Sequence, residues 1–130
     1  MTSADSKCVL IVEDDDTIRA LVGDVLARRG YRVETAADGL QGLEKASTTR
    51  PDAIVLDLRM PILDGWAFLE RFRGDPHWRH VPVVVMSAYL DMSEAATRAL
   101  QVEAVLAKPF DIFVLAETVA RVLEMPTEEC

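Results

Sequence analysis

The chain has few of the residues that staple a fold or carry it across a membrane. Its 130 residues include two cysteines, Cys8 and Cys130. They form neither a metal-ligand spacing nor a redox pair in sequence. A bridge from one to the other is the less economical reading; a reducing, cytoplasmic setting is simpler. Basic residues are outnumbered, 14 against 22 acidic, for a formal net charge of −8. A lone nucleic-acid binder needs a basic face for phosphates, so direct nucleic-acid binding is not expected. A cation, or a partner that presents positive charge, suits the balance better. No apolar run approaches the ~20 residues that span a bilayer, so no membrane insertion is expected. The opening MTSADSK lacks an apolar stretch behind a basic start and reads as a flexible leader over residues 1–6, not a signal peptide. No glycine-rich loop follows the first apolar run, which counts against a flavin- or nucleotide-binding module.

What is present is a core. Half of the residues are apolar, enough for one domain and too many for disorder. Cys8 to Val12 is a short, wholly apolar run that reads as a strand buried on both faces. Ile18, Leu21, Val22, Val25 and Leu26 then recur at helical spacing, with Gly30 placed as a C-terminal cap. Tyr31 to Thr35 alternates, and its polar Arg32 and Glu34 suggest an edge strand. After the turn signal Asp38-Gly39, Leu40, Leu43 and Ala46 predict a weaker second helix. Ala53 to Leu56 is the third strand. Asp64 is placed to cap a helix carrying Phe68, Leu69 and Phe72, which Gly74-Asp75-Pro76 ends. Val81 to Met86 predicts the fourth strand. Asp91 or Ser93 would cap a fourth helix with little apolar surface beyond Ala95, Ala96, Ala99 and Leu100. Ala104 to Ala107 predicts the fifth strand, and Asp111 caps a last helix with Ile112, Leu115, Val119, Val122 and Leu123 on one stripe. Five strands alternating with five helices imply an α/β, doubly wound parallel sheet with helices on both faces. The domain is expected over residues 7–124, with 125–130 a tail.

In such a sheet the carboxyl ends of the strands share one rim, where ligands bind. The first strand delivers Glu13, Asp14 and Asp15 there, the third Asp57, the fourth Ser87, and the fifth Lys108 followed by Pro109. At ~4 Å and an effective dielectric of ~20, one like-charge pair costs roughly 4 kcal/mol before screening. Lys108 offsets only part of that. Either a carboxyl stays protonated or a hard dication sits among them, and carboxylates with a backbone carbonyl and water suit Mg²⁺. Such a site could take the oxygens of a phosphoryl group, with Ser87 donating a hydrogen bond and Asp57 as nucleophile.

Taken singly, each residue also has a plain reading. Acids before a helix favour its dipole, and Asp15 or Asp16 could simply be the cap. Ser87 could be a turn serine, and Lys108-Pro109 an ordinary loop. Met60-Pro61 and Asp64-Gly65 read as shape-setting turns. Trp66 is expected to lie partly exposed near the rim without a chemical role. Trp78, His77 and His80 fall in a loop, with surface packing preferred over ligation, because two histidines without a third ligand make a poor zinc site.

Together, the acidic cluster in IVEDDD, the aspartate of LDLRMP with DGW behind it, SA after VVVM, and KPF resemble a response-regulator receiver domain of two-component signalling. The likeness covers essentially residues 7 to 124. It implies a flavodoxin-like fold with strand order 2-1-3-4-5. It also implies Asp57 as phosphoacceptor, Asp14 as a direct Mg²⁺ ligand, Glu13 as one acting largely through water, and the Arg59 backbone carbonyl as a third protein ligand. Ser87 matches the hydroxyl that moves toward the phosphoryl group, and Lys108 the lysine that pairs with it. The donor would be a sensor histidine kinase or histidine phosphotransfer protein, the output a contact with a downstream protein or a phosphorelay, and hydrolysis of the acyl phosphate slow. The chain would then be a signalling phosphoacceptor, not an enzyme acting on separate substrates. A degenerate receiver that binds partners without phosphorylation is the alternative, though the intact polar set counts against it. An aspartyl-phosphate phosphatase is a further one, but it would want an acid where Arg59 stands. The sequence departs from the pattern at Val105, where many receivers carry Tyr or Phe. Readout is therefore expected through the loop after Ser87 or through Tyr89, and Arg59 and Tyr89 are expected to slow loss of the phosphoryl group.

Overall fold

The computed structural model describes residues 6–88 and 101–124. The strands are β1 (Cys8–Val12), β2 (Arg32–Ala36), β3 (Ala53–Asp57), β4 (Val83–Ala88) and β5 (Ala104–Lys108). The helices are α1 (Asp16–Arg28), α2 (Gly39–Thr49), α3 (Gly65–Gly74) and, in the numbering used here, α4 (Ile112–Glu124). All four ladders are parallel and the order is β2-β1-β3-β4-β5. This is the flavodoxin-like arrangement that the resemblance implied. The helix count differs from the expected five: the described residues hold four α-helices and a 3-10 turn at Pro76–Trp78. The helix expected from Asp91 or Ser93 falls within residues 89–100, outside the described residues.

Alternation along the strands divides the core. Leu10, Val12, Ile54, Leu56, Val83 and Val85 face one way and pack under α2 and α3, against Phe68, Leu69 and Phe72. Val9, Ile11, Val55, Val84 and Met86 face the other, under α1 and α4, against Val22, Leu26, Leu115 and Val119. Strands covered on both faces must be apolar throughout, which is why β1 and β3 read as unbroken runs. β2 lies at the sheet edge with Arg32 exposed, as its polar residues suggested.

Local signals set most boundaries. Asp64 Oδ1 accepts from the Ala67 N–H at 2.9 Å and Asp111 Oδ1 from the Phe113 N–H at 2.8 Å, each satisfying an otherwise orphaned donor. Gly30 follows α1 at φ 97°, with its N–H on the Ala27 carbonyl and that of Tyr31 on Leu26. Asp38 is more than a turn residue: it is buried, and it caps α2 through the Gln41 N–H. Trp78 stacks on Phe72 at a 4.9 Å centroid distance, a packing role, whereas the His77 side chain is 88% exposed.

Arg73 was not anticipated. Its largely buried side chain donates through the guanidinium to the carbonyls of Trp78, Arg79, Val81 and Gln101 and to the Glu103 carboxylate. Glu103 in turn accepts from the Val83 N–H at 2.7 Å. The end of α3 is thereby tied to the starts of β4 and β5, the rim opposite the acidic one.

Candidate functional site

Three strands run one residue or more beyond their apolar stretches. β3 ends on Asp57, paired with Met86; β4 continues through Ser87; β5 ends on Lys108, opposite Ala88. Ladder hydrogen bonds use the backbone alone, so a charged side chain can occupy the last rung. Glu13, just past β1, continues the pattern by donating its N–H to the Ala36 carbonyl at 3.0 Å.

These ends converge on a cleft of about 240 Å³ lined by Glu13, Asp14, Asp15, Ile18, Asp57, Arg59 and Lys108. Lys108 Nζ donates to Glu13 Oε1 at 3.2 Å and to Asp57 Oδ1 at 3.1 Å. Glu13 Oε2 accepts from the Asp15 N–H at 3.0 Å, and Asp57 Oδ1 also lies 3.4 Å from the Arg59 N–H. The Asp57 side chain is 5% exposed and lines the cleft. Asp14 is exposed on the cleft wall. Asp15 is the α1 cap, accepting from the Ile18 N–H at 2.9 Å, while Asp16 begins the helix and pairs with Arg19. Ser87 is buried one residue beyond the Met86–Asp57 pair and is not one of the cleft's lining residues. Trp66 is half-buried against the core. Val105 is exposed on β5, and Tyr89 lies outside the described residues.

Glycine allows the loop that follows Asp57 to close on itself. Gly65 donates its N–H to the Leu58 carbonyl at 2.9 Å. A Cβ at Gly65 would stand 2.5 Å from the Asp57 carbonyl oxygen and 2.6 Å from Leu58 Cα. The Asp64-Gly65 pair thus shapes the loop, with Asp64 capping α3 and Gly65 permitting the approach.

The electrostatics follow from burial. Loss of solvent, and the Asp57 charge beside it, push Glu13 up to about 7 against the favourable Asp15 N–H and Lys108. Burial likewise raises Asp57, although Lys108 and the Arg59 N–H oppose it. Burial would lower Lys108, but Glu13 and Asp57 outweigh it and hold the ammonium above the usual lysine value. One cation is thus shared by two carboxylates, and the pair favours an additional proton or positive charge.

The donor set fits a hard dication. One carboxylate oxygen from each of Glu13, Asp14 and Asp57 can be chosen so that all lie within 4.8 Å of one another. Oxygen ligands of this kind, on an open cleft, suit Mg²⁺, which keeps several waters. Sequence reasoning missed Arg19, whose Nη1 donates to the Glu13 carbonyl at 2.9 Å and, more distantly, to that of Asp14 at 3.5 Å. The apolar stripe of α1 drew attention from it; the available signal was an arginine little more than a helical turn past the acidic run.

Comparison with known proteins agrees with this geometry. The profile of the response regulator receiver domain matches residues 9–120. Transcriptional regulatory protein PrrA of Mycobacterium leprae is 43% identical over 125 residues, taking in 93% of this chain and 50% of that protein. The chain therefore spans about half the length of that relative. Sporulation initiation phosphotransferase F of Bacillus subtilis is 35% identical over 119 residues, 90% of this chain and 94% of that one. Among solved structures, the receiver domain of a sensor histidine kinase from Pseudomonas aeruginosa PAO1, with magnesium coordinated in its active-site cleft, is similar at TM-score 0.82 and 30% identity. It covers 92% of this chain and 99% of that one.

Proposed function

The chain belongs to the response regulator receiver domain family, and on that premise we propose that it is a phosphorylatable switch with Asp57 as its acceptor. A carboxylate oxygen of Asp57 attacks the phosphorus of a phosphohistidine on a sensor kinase or phosphotransfer protein. The P–N bond breaks, its electron pair leaves with the imidazole, and an acyl phosphate forms on Asp57. Water later cleaves that phosphate slowly, returning the carboxylate and inorganic phosphate.

The observation that carries this reading is Lys108 Nζ held within 3.2 Å of Glu13 and 3.1 Å of Asp57. Lys108 is positioned to follow the charge from the carboxylate onto the transferred oxygens, and Ser87 would donate to the same group. Glu13, Asp14 and Asp57, with the Arg59 carbonyl, would hold Mg²⁺. When bound, that ion supplies positive charge against the phosphoryl oxygens. The magnesium named in the Pseudomonas receiver supports the assignment.

Charge added at Asp57 shifts a population between two surfaces, and the output is contact with another protein or onward transfer of the phosphoryl group. The Bacillus subtilis relative is named a phosphotransferase, which supports the relay form. The same reading treats the chain as a signalling acceptor with self-dephosphorylation only, in the cytoplasm, without direct contact to nucleic acid. Among the described residues no helix is long and apolar enough to cross a membrane.

The test is incubation with phosphoramidate and Mg²⁺, followed by intact mass. Wild type should gain one phosphoryl group in a Mg²⁺-dependent manner and Asp57→Asn none. Equal gain by the variant would refute the assignment, and turnover of an unrelated phosphomonoester would favour a phosphatase.

A further inference from the structure

We propose that Arg19 is a positioning residue for the metal site, holding the backbone of Glu13 and Asp14 so that their carboxylates face the cleft. The inference rests on the proposed Mg²⁺ site.

The acidic loop is gripped by two cations that bind it in different ways. Lys108 takes the side chains, bonding Glu13 Oε1 and Asp57 Oδ1. Arg19 takes the main chain: Nη1 donates to the carbonyls of Glu13 and Asp14, at 2.9 and 3.5 Å. A guanidinium on those carbonyls restrains the torsions that set where the two side chains leave the backbone. It also brings positive charge into the loop while its hydrogen bonds leave the carboxylate oxygens of Glu13 and Asp14 available. Lys108 cannot do this, because it occupies one of those oxygens.

Arg19 is itself held in place. Its side chain is 22% exposed, and Nη2 pairs with Asp16 one helical turn away. The planar fork can reach the Asp16 carboxylate and the two carbonyls together, which an ammonium cannot. A surface i,i+3 ion pair alone would contribute little. The reach back to Glu13, six residues earlier, joins the helix to the end of β1.

The test is calorimetric titration of metal-free protein with MgCl₂, alongside urea denaturation. Arg19→Gln should weaken Mg²⁺ binding on the order of tenfold, as loss of groups that orient metal ligands does. Arg19→Lys should recover part of the loss, and Asp16→Asn should cause a smaller one. A role confined to helix stability would lower the denaturation midpoint and leave Mg²⁺ affinity unmoved, which would overturn the proposal. Should Arg19→Gln fail to fold, Arg19→Lys and Asp16→Asn decide by the same criterion. Asp14→Asn separates this inference from the one beneath it. If that variant loses Mg²⁺ while the Arg19 and Asp16 variants bind as wild type, only the role of Arg19 falls. If wild type binds no Mg²⁺, both fall.

Discussion

The ammonium of Lys108 stands 3.1 Å from Asp57 Oδ1, a contact that closes a gap of 51 residues in sequence. Lys108→Met would leave Asp57 and Glu13 without the cation they share. Transfer from phosphoramidate is expected to slow on the order of a hundredfold, the scale of losing one preorganised donor at a developing charge. The time course of the intact-mass gain measures it, and an unchanged rate would remove Lys108 from the mechanism.

Glu13 makes the metal-free domain sensitive to pH. Folding raises its pKa from 4.5 to about 7, so the folded chain binds this proton more tightly than the unfolded one. The resulting stability is fully present below about pH 4.5 and is lost as the pH rises through about 7, a contribution of roughly 3 kcal/mol. Asp57, also raised, acts in the same direction. Without metal, wild type should therefore lose stability relative to Glu13→Gln between pH 5 and pH 8, on the order of 2–3 kcal/mol and most of that contribution. Urea denaturation of both proteins across that range checks it; parallel curves would show that Glu13 ionises normally.

Gly65→Ala would drive a Cβ to 2.5 Å from the Asp57 carbonyl oxygen and 2.6 Å from Leu58 Cα. Both neighbours are backbone, so neither can rotate away. A loss of about 2–3 kcal/mol is expected in chemical denaturation, together with slower phosphoryl gain as Asp57 is displaced. Wild-type stability in the variant would mean that the loop yields freely.

Ile62 sits at φ 69° with its side chain outside the core, 77% exposed. The flanking Leu63 N–H donates to the Pro61 carbonyl at 2.7 Å, closing a tight γ-turn around it. A β-branched residue in the left-handed region is strained, and here little burial compensates. Ile62→Gly is expected to stabilise the domain by about 0.5–1 kcal/mol, the relief of strain exceeding the added freedom of the unfolded chain. A lower urea midpoint would reverse the sign and show that the side chain makes contacts worth more than the strain.

Much of the site was legible because its residues end apolar runs. Glu13 and Asp57 each close an uninterrupted buried run and Lys108 a short apolar one that is partly exposed, and a charge at that place signals a functional rim. Asp64 and Asp111 were legible as caps because a capping side chain reaches only a few residues ahead. Strand limits were less so. Val81 and Pro82 read as strand, yet β4 begins at Val83, with the Pro82 carbonyl accepting from Ile54. The rungs at Asp57 and Lys108 were missed from the strands because hydropathy is blind to backbone pairing. Arg19 and Arg73 were not legible as more than surface cations, since their acceptors are mostly carbonyls, which every residue carries.

The sequence by itself determined the alternation of strands and helices, the caps at Asp64 and Asp111, and the set of residues delivered to one rim. Those features depend on periodicity and on contacts within a turn or two. Tertiary structure alone decided that Lys108 bridges Glu13 and Asp57, that Arg19 turns back onto the acidic loop, and that Arg73 ties α3 to β4 and β5. Such contacts depend on ladder register and side-chain reach across many residues, and neither is encoded in any local stretch of chain.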